Sequence, residues 1–535
     1  MKRRWNGWGD ENTDYPLPPD ALRFLNTQLG PGTVLENATL ESVVSQVPAS
    51  RIPDCRDIDI NAETRVRYAR GQSFPDWLAM RSGQFEVFPD GVAFPKTGEE
   101  IQDLLQRALA HDWIVIPYGG GTSVAGHITP VRSRKPILTI SLEKMSGLVS
   151  IDTESQIATF GPGTRGPDVE SALKKFGYLL GHFPQSYELS TLGGWVATRS
   201  SGQQSRRYGR IENLFAGGTV QTPSGPLNIP VFPASAAGPD FREIVLGSEG
   251  RIGLISEVKV RVSRCPEHES FHVAFAPSFL DAVKIARTAA QENLNVSMLR
   301  VSNEIETATH LALAGKQSSL IWLRRLMRLK GIGETPAMIT FGVTGEKLQC
   351  RTTLRRMKAL FRSYKVINFG PSFGRVWAHS RFRSPYLRHS LWDAGYGIDT
   401  FETAFNWGEL PDVVDELEST TRVAAKGHPI HVFTHLSHIY PQGASVYVSY
   451  VFPNGSSYQE TRLLWSQIKG AVSEAIVSRG GTISHQHGVG RDHAPYLVAE
   501  KSQMGLAALT ALTKSFDQKE ILNPGILLPD GGSHE

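Results

Sequence analysis

Apolar positions recur along this chain in two rhythms. Between residues 86 and 265 they form short runs bounded by glycine-rich turns: WIVIP at 113–117, PILTIS at 136–141, QIATF at 156–160 and LISEVKVRV at 254–262. Such runs are too short for helices and predict β-strands, with one or two helices between them. From 266 to 480 helical spacing alternates with strand-like runs. Helices are predicted over 277–289, 320–330, 351–364 and 459–479, the last closed by Gly480-Gly481. HVAFA at 272–276, MITFGV at 338–343 and SVYVSYVF at 445–452 predict strands. Residues 1–85 mix turn residues with short helical pieces. One is 19–29, with Asp20 as cap ahead of Leu22, Leu25 and Leu29. In the last segment, 481–535, a helix over 500–518 stops before Asn523-Pro524-Gly525. No internal repeat or low-complexity stretch interrupts these four segments.

Composition narrows the class. A chain of 535 residues makes about two to four domains. With 40% hydrophobic and 20% charged residues it is an ordinary globular protein. A net charge of +4 gives no ground for a nucleic-acid partner. Cys55, Cys265 and Cys350 are odd in number and form no CxxC pair, which argues against a disulfide framework and for a reducing compartment. No apolar stretch reaches the roughly 18–20 residues of a membrane span. MKRRWNGWGDE is basic but lacks an apolar core, so it does not read as a secretory signal. Ser533-His534-Glu535 is not a peroxisomal address. A cytoplasmic location is expected.

Three glycine- and hydroxyl-rich segments carry candidate chemistry. After WIVIP come Pro117, Tyr118, Gly119, Gly120, Gly121, Thr122, Ser123 and Val124. Consecutive glycines turn tightly, admit a ligand where a Cβ would stand, and line up N–H groups for an anion such as a pyrophosphate. The loop is neither a Walker loop nor a GxGxxG helix start, and alone it reads equally well as a surface turn. Residues 181–202 then pack Pro184, Ser186, Ser190, Thr191, Thr198, Ser200, Ser201 and Gly202 around Gly193-Gly194, offering many donors to a polar cofactor. The third is LGSEGRIGLISEVKV at 246–260, with Glu249, Gly250, Gly253 and Ile255 leading into a strand.

The order PxGGGTSV, then PxSxExSTxGGWVxTRxSG, then GSEGxxGxI resembles the FAD-binding domain of the vanillyl-alcohol-oxidase type. Within that superfamily the chain is most similar to the alkyldihydroxyacetonephosphate synthase (alkylglycerone-phosphate synthase) family. Further shared segments are RWNGWG at 4–9, YGRIENL at 208–214, PYLRHSL at 385–391, TFETAFNW at 400–407, VYVSY at 446–450 and SHQHGVG at 484–490. The resemblance implies an α+β fold. An FAD domain of two β-subdomains (86–265) would carry a cap domain with an antiparallel sheet (266–480), and the C-terminal segment would return to the FAD domain. It implies non-covalent FAD, since no covalent anchor is evident and His127 reads as a packed or capping residue. It also implies exchange of the fatty acid of acyl-dihydroxyacetone phosphate for a fatty alcohol. In that reaction the flavin acts as an electrophile through a central-ring nitrogen.

The resemblance also assigns roles. Arg388 in PYLR matches the substrate-phosphate arginine, a role that suits a guanidinium fork; otherwise it reads as a surface arginine on a helix. Tyr447 in VYVSY matches an active-site tyrosine. Strand alternation puts it on one face with Ser449, and Val446, Val448 and Tyr450 on the other. His485, Gln486 and His487 stand where the family has three histidines, and Gln486 occupies the position of the catalytic base. An amide takes up no proton usefully. Either His485 or His487 serves instead, or the substrate differs, or activity is weak.

Two rival readings follow. One is a flavin oxidoreductase acting on a D-2-hydroxy acid. Some related enzymes of that kind hold a metal with two His and a Glu, but Tyr447 and Gln486 stand at the positions concerned. His435 and His438 in THLSH lack a carboxylate partner in the sequence, so no metal is expected. The other is a flavin-binding protein with little catalysis, for which Gln486 is the only support. Basic residues flank apolar ones at 320–330 (Arg324, Arg325, Arg328, Lys330) and at 351–365. The first reads equally as a membrane-surface helix or a solvated one, and the second as a solvated helix with a Leu354, Met357 and Phe361 core stripe. Expected partners are a lipid-like or hydroxy-acid small molecule, a second copy of the chain in a homodimer, and a peripheral membrane contact.

Overall fold

The computed structural model describes residues 2–313, 325, 327–328 and 331–528. Two small sheets build the first half. One has the order Ile58–Asp59, Gly91–Ala93, Ile137–Ser141, Ile114–Tyr118, with its last three strands parallel. Against it lies the helix Gly98–His111. Thr97 caps this helix by accepting from the Glu100 N–H, and Ile101, Leu104, Leu105 and Ala108 form the buried stripe that helical spacing demands. The other sheet is five-stranded and antiparallel, in the order Leu148–Asp152, Ile157–Phe160, Leu254–Arg261, Phe215–Thr222, Gly225–Ile229. The chain completes the first sheet's core late: Val115 N–H donates to Ile521 O at 2.8 Å, and Ile521 and Leu522 are fully buried there.

The second half is a seven-stranded antiparallel sheet: Ile367–Asn368, His268–Ala276, Ala337–Gly345, Met298–Ser302, His431–Ile439, Gly443–Pro453, Tyr396–Asn406. One face packs on the helices Phe279–Gln291, Lys347–Ser363, Leu410–Ala424 and Tyr458–Ser478 in the largest hydrophobic cluster, which takes in Val446, Val448 and Tyr450. The mixed α+β architecture is the one expected.

Several local expectations change. The first helix, Pro19–Leu29, is capped at Pro18, and Asp20 sits inside its first turn, bonded to Arg23. Its buried stripe is Ala21, Leu25 and Leu29, and Leu22 faces solvent. The strands at 298–302, 396–406 and 431–439 had no clean apolar rhythm, because one of their faces is lined with polar side chains. In the helix 347–363, Met357 and Phe361 are buried, Leu354 packs beside them, and the basic residues Arg351, Arg355, Arg356, Lys358 and Arg362 are exposed. Of the segment 320–330, all but Arg325, Met327 and Arg328 lie outside the described residues. Among those described, no helix is long and apolar enough to cross a membrane.

Candidate functional site

A cavity of about 830 Å³ runs between the glycine-rich segments and the polar face of the seven-stranded sheet. Every cofactor residue expected from sequence lines it except Gly202, whose carbonyl instead accepts from His438 Nε2 at 3.2 Å. Gly120 shows why the loop needs glycine. A Cβ there would lie 2.1 Å from Leu189 O, so the missing side chain lets the first two segments meet. The expectation had been that this space admits the ligand itself. The 181–202 segment is held by its own hydroxyls. Thr191 caps the helix Leu192–Thr198, and Ser190 Oγ accepts from Trp195 Nε1 at 2.7 Å. Ser201 Oγ is buried, lines the cavity and has no hydrogen-bond partner among the described residues. An orphaned donor beside exposed loop amides is what a polar dinucleotide satisfies, and the cradle fits FAD.

Glu249 lines the cavity, and its carboxylate also bonds to the histidine loop. Oε1 accepts from Val489 N–H at 2.5 Å, Oε2 accepts from Gly490 N–H at 2.8 Å, and His127 Nε2 lies 3.2 Å from Oε2. Burial works against the His127 cation, but Glu249 outweighs it and raises the imidazole pKa. Glu249 thus clamps the histidine loop onto the cofactor domain. Its backbone φ of +53° presents the carboxylate at the tip of the turn.

On the cap side, sheet register aligns side chains from far apart in sequence. Glu402 pairs with Tyr447, and Tyr447 with His435, across three adjacent strands. Tyr447 lines the cavity, donates to Thr400 Oγ1 at 3.1 Å and stacks on His435 with centroids 4.7 Å apart. Burial pushes its phenol up to about 12, so it acts as a hydrogen-bond donor, not as an anion. His487 stands edge-on to Tyr447 at 5.8 Å and lines the cavity, and burial lowers its pKa. Arg388 is half-buried, not an exposed surface residue. It lines the cavity while donating to Gln72 O at 2.6 Å and pairing with Asp399 at 3.2 Å, and burial lowers its pKa.

His485 does not line the cavity. It is buried with Nε2 2.8 Å from Tyr440 Oη and Nδ1 3.2 Å from Glu402 Oε1, and burial lowers its pKa to about 4. A direct proton-transfer role passes to other residues. Gln486 donates to Glu402 Oε2 at 2.6 Å, and Ser437 donates to Oε1. Glu402, His438 and His485 have their ligand atoms within 4.8 Å of one another, a set that could hold a divalent ion. THLSH shows no carboxylate partner in the sequence, but the sheet supplies one: Glu402, two strands away, lies 3.6 Å from His438 Nδ1. Glu402's bonds to Ser437 and Gln486, with the imidazoles facing it, equally describe a hydrogen-bonded hub.

The sequence reading missed Glu402 and Glu306. Glu306 is buried, with Oε1 2.8 Å from His435 Nδ1 and 2.9 Å from Arg300 Nη2. Its only signal was Asn303-x-x-Glu306, which reads as a helix cap; Asn303 Oδ1 does accept from the Glu306 N–H at 2.8 Å.

Comparison with known proteins agrees with this geometry. Residues 89–228 match the "FAD binding domain" family, and residues 265–527 match "FAD linked oxidases, C-terminal domain". The alkyldihydroxyacetonephosphate synthase of Trypanosoma brucei brucei is 27% identical, covering 99% of this chain and 93% of that protein. That of Dictyostelium discoideum is 28% identical, covering 98% and 93%. A crystal structure titled alkyldihydroxyacetonephosphate synthase superposes with a TM-score of 0.85 at 25% identity, covering 98% of each chain.

Proposed function

For a chain that belongs with the alkyldihydroxyacetonephosphate synthases among the FAD-linked enzymes, we propose the exchange of the acyl group of an acyl-dihydroxyacetone phosphate for a fatty alcohol. The carrying observation is that the FAD cradle, Arg388, Tyr447 and His487 all face one cavity. FAD bound there supplies the electrophilic chemistry of the exchange. The chain supplies the rest. Arg388 presents a half-buried cation to the substrate phosphate. The Tyr447 hydroxyl donates to the departing carboxylate. We further propose that FAD is held without a covalent bond, because His127, just past the glycine loop, has both ring nitrogens engaged: Nδ1 is 2.6 Å from Ser123 Oγ and Nε2 faces Glu249. We also propose a cytoplasmic homodimer with a peripheral membrane contact, which would give it access to a fatty substrate.

A second reading, oxidation of a D-2-hydroxy acid, is favoured by Glu402, His438 and His485, two His and a Glu whose ligand atoms lie within 4.8 Å of one another and which could hold a divalent ion. One anaerobic absorbance titration separates the two. If acyl-dihydroxyacetone phosphate perturbs the flavin spectrum without two-electron reduction, and a fatty alcohol then restores it with ether product, the synthase reading stands. If a D-2-hydroxy acid reduces the flavin and the lipid leaves it unchanged, the second reading replaces it.

A further inference from the structure

We infer that His435, positioned by Glu306, is the residue that takes the proton of the substrate hydroxyl, a place that Gln486 cannot fill. The inference rests on the proposed function, and specifies which group of that site moves the proton.

The geometry is that of an oriented base. Glu306 is an acceptor, so His435 Nδ1, 2.8 Å from Oε1, carries the hydrogen. That tautomer leaves the Nε2 lone pair, which has no hydrogen-bond partner among the described residues, on an imidazole that lines the cavity. Stacking on Tyr447 at 4.7 Å and 20° fixes the ring plane and puts its free edge beside the phenol that faces the same substrate. Glu306 is in turn fixed by Arg300 Nη2 at 2.9 Å and by the Asn303 cap on its backbone. A base held by a buried carboxylate and aimed at the reacting space is the arrangement proton transfer needs.

The charges around the ring set its working range. Facing it are Glu306 and Arg300, with His310 3.5 Å from Glu306, Tyr447 on the adjacent strand, and Glu402 beyond it. Burial and Arg300 favour the neutral ring, and both carboxylates favour the cation; the net direction is downward. The ring is therefore neutral, and able to accept a proton, at neutral pH. In the exchange, the O–H bond of the fatty alcohol breaks and its proton goes to His435 Nε2. The alcohol oxygen forms the new C–O bond at the carbon from which the carboxylate departs with its electron pair. The proton then leaves with the fatty acid, and no net electrons are transferred.

The test uses the FAD-loaded enzyme with His435→Asn, His435→Gly, Glu306→Gln and Glu306→Asp. For His435→Asn we expect wild-type flavin content, an unchanged spectral response to acyl-dihydroxyacetone phosphate, and kcat lower by about 10²–10⁴-fold at similar KM. Added imidazole should restore part of the His435→Gly rate. In Glu306→Gln the acid limb of the pH profile should move down by about one pH unit, because the carboxylate that favours the cation is gone; Glu306→Asp should move it less. Near-wild-type kcat in His435→Asn, no imidazole rescue, or an unmoved acid limb in folded Glu306→Gln overturns the inference and leaves the synthase reading intact. A wild-type enzyme that performs no exchange and oxidises no hydroxy acid overturns both.

Discussion

Replacing Glu249 with alanine tests whether one side chain joins the histidine loop to the cofactor domain. The carboxylate is 1% exposed and accepts two backbone N–H bonds, from Val489 and Gly490. Hydrogen bonds to a charged group contribute about 1.5–3 kcal/mol each, so the pair sums to roughly 3–6 kcal/mol. Part of that returns if the freed amides reach water, and we take about 3 kcal/mol as the cost of the substitution. At 1.4 kcal/mol per tenfold change, the loop should open about 10²-fold more often. Hydrogen–deuterium exchange of a peptide spanning Gly488–His493 reads this directly: Val489 and Gly490 amides should exchange about 10²-fold faster. Glu249→Gln keeps an amide oxygen and should recover part of the protection. Flavin content and kcat should fall together in the alanine variant, since Gln486 and His487 ride on the same loop. Exchange within about threefold of wild type would mean that the loop is held by other contacts and the clamp assignment is wrong.

Other substitutions probe the remaining parts. Gly120→Val drives a side chain into Leu189 O, 2.1 Å from the Cβ position, and should yield protein without visible flavin absorbance. Arg388→Ala should raise KM for the phosphate substrate about tenfold or more while flavin content holds, a loss of roughly 1.5–3 kcal/mol from a charge-assisted contact; an unchanged KM removes its anion role. Tyr447→Phe, which deletes the hydroxyl that donates to Thr400, should lower kcat about 10–10²-fold with KM and flavin content little changed. His485 has a folded pKa of about 4 against an ordinary 6.5, so the unfolded chain binds its proton more readily between those values. Stability should therefore fall as pH drops from 6.5 towards 4, and His485→Asn should flatten part of that fall in a series of melting temperatures.

The cofactor half was far more legible than the cap half, for a physical reason. Residues 117–124, 184–202 and 247–255 each bring their glycines and hydroxyls to the cavity as contiguous stretches, so local composition already shows their purpose. The catalytic face is assembled by register instead. Glu402, Tyr447 and His435 become neighbours only because three strands pair in that alignment, and a slip of one residue would turn each side chain to the other face. Glu306 was hidden differently: its position after Asn303 carries an ordinary capping signature, while its carboxylate serves His435. His485 reads, like His487, as a base because both flank Gln486, but a buried carboxylate on a distant strand, Glu402, holds it away from the cavity lining.

The late return of the chain to the first sheet bears on when the enzyme acquires its cofactor. Asn523 Nδ2 donates to the backbone carbonyls of His127 and Glu249, the latter 274 residues away in sequence, and Ile521 and Leu522 plug the core behind the glycine loop. During synthesis the two halves of the cradle can form, but the carbonyls that hold them in register have no partner until this last stretch leaves the ribosome. Cofactor capture therefore waits on Asn523, synthesised 274 residues after Glu249. Deletions beginning at residue 517 should leave a cap sheet that still forms and a cradle that does not hold its flavin.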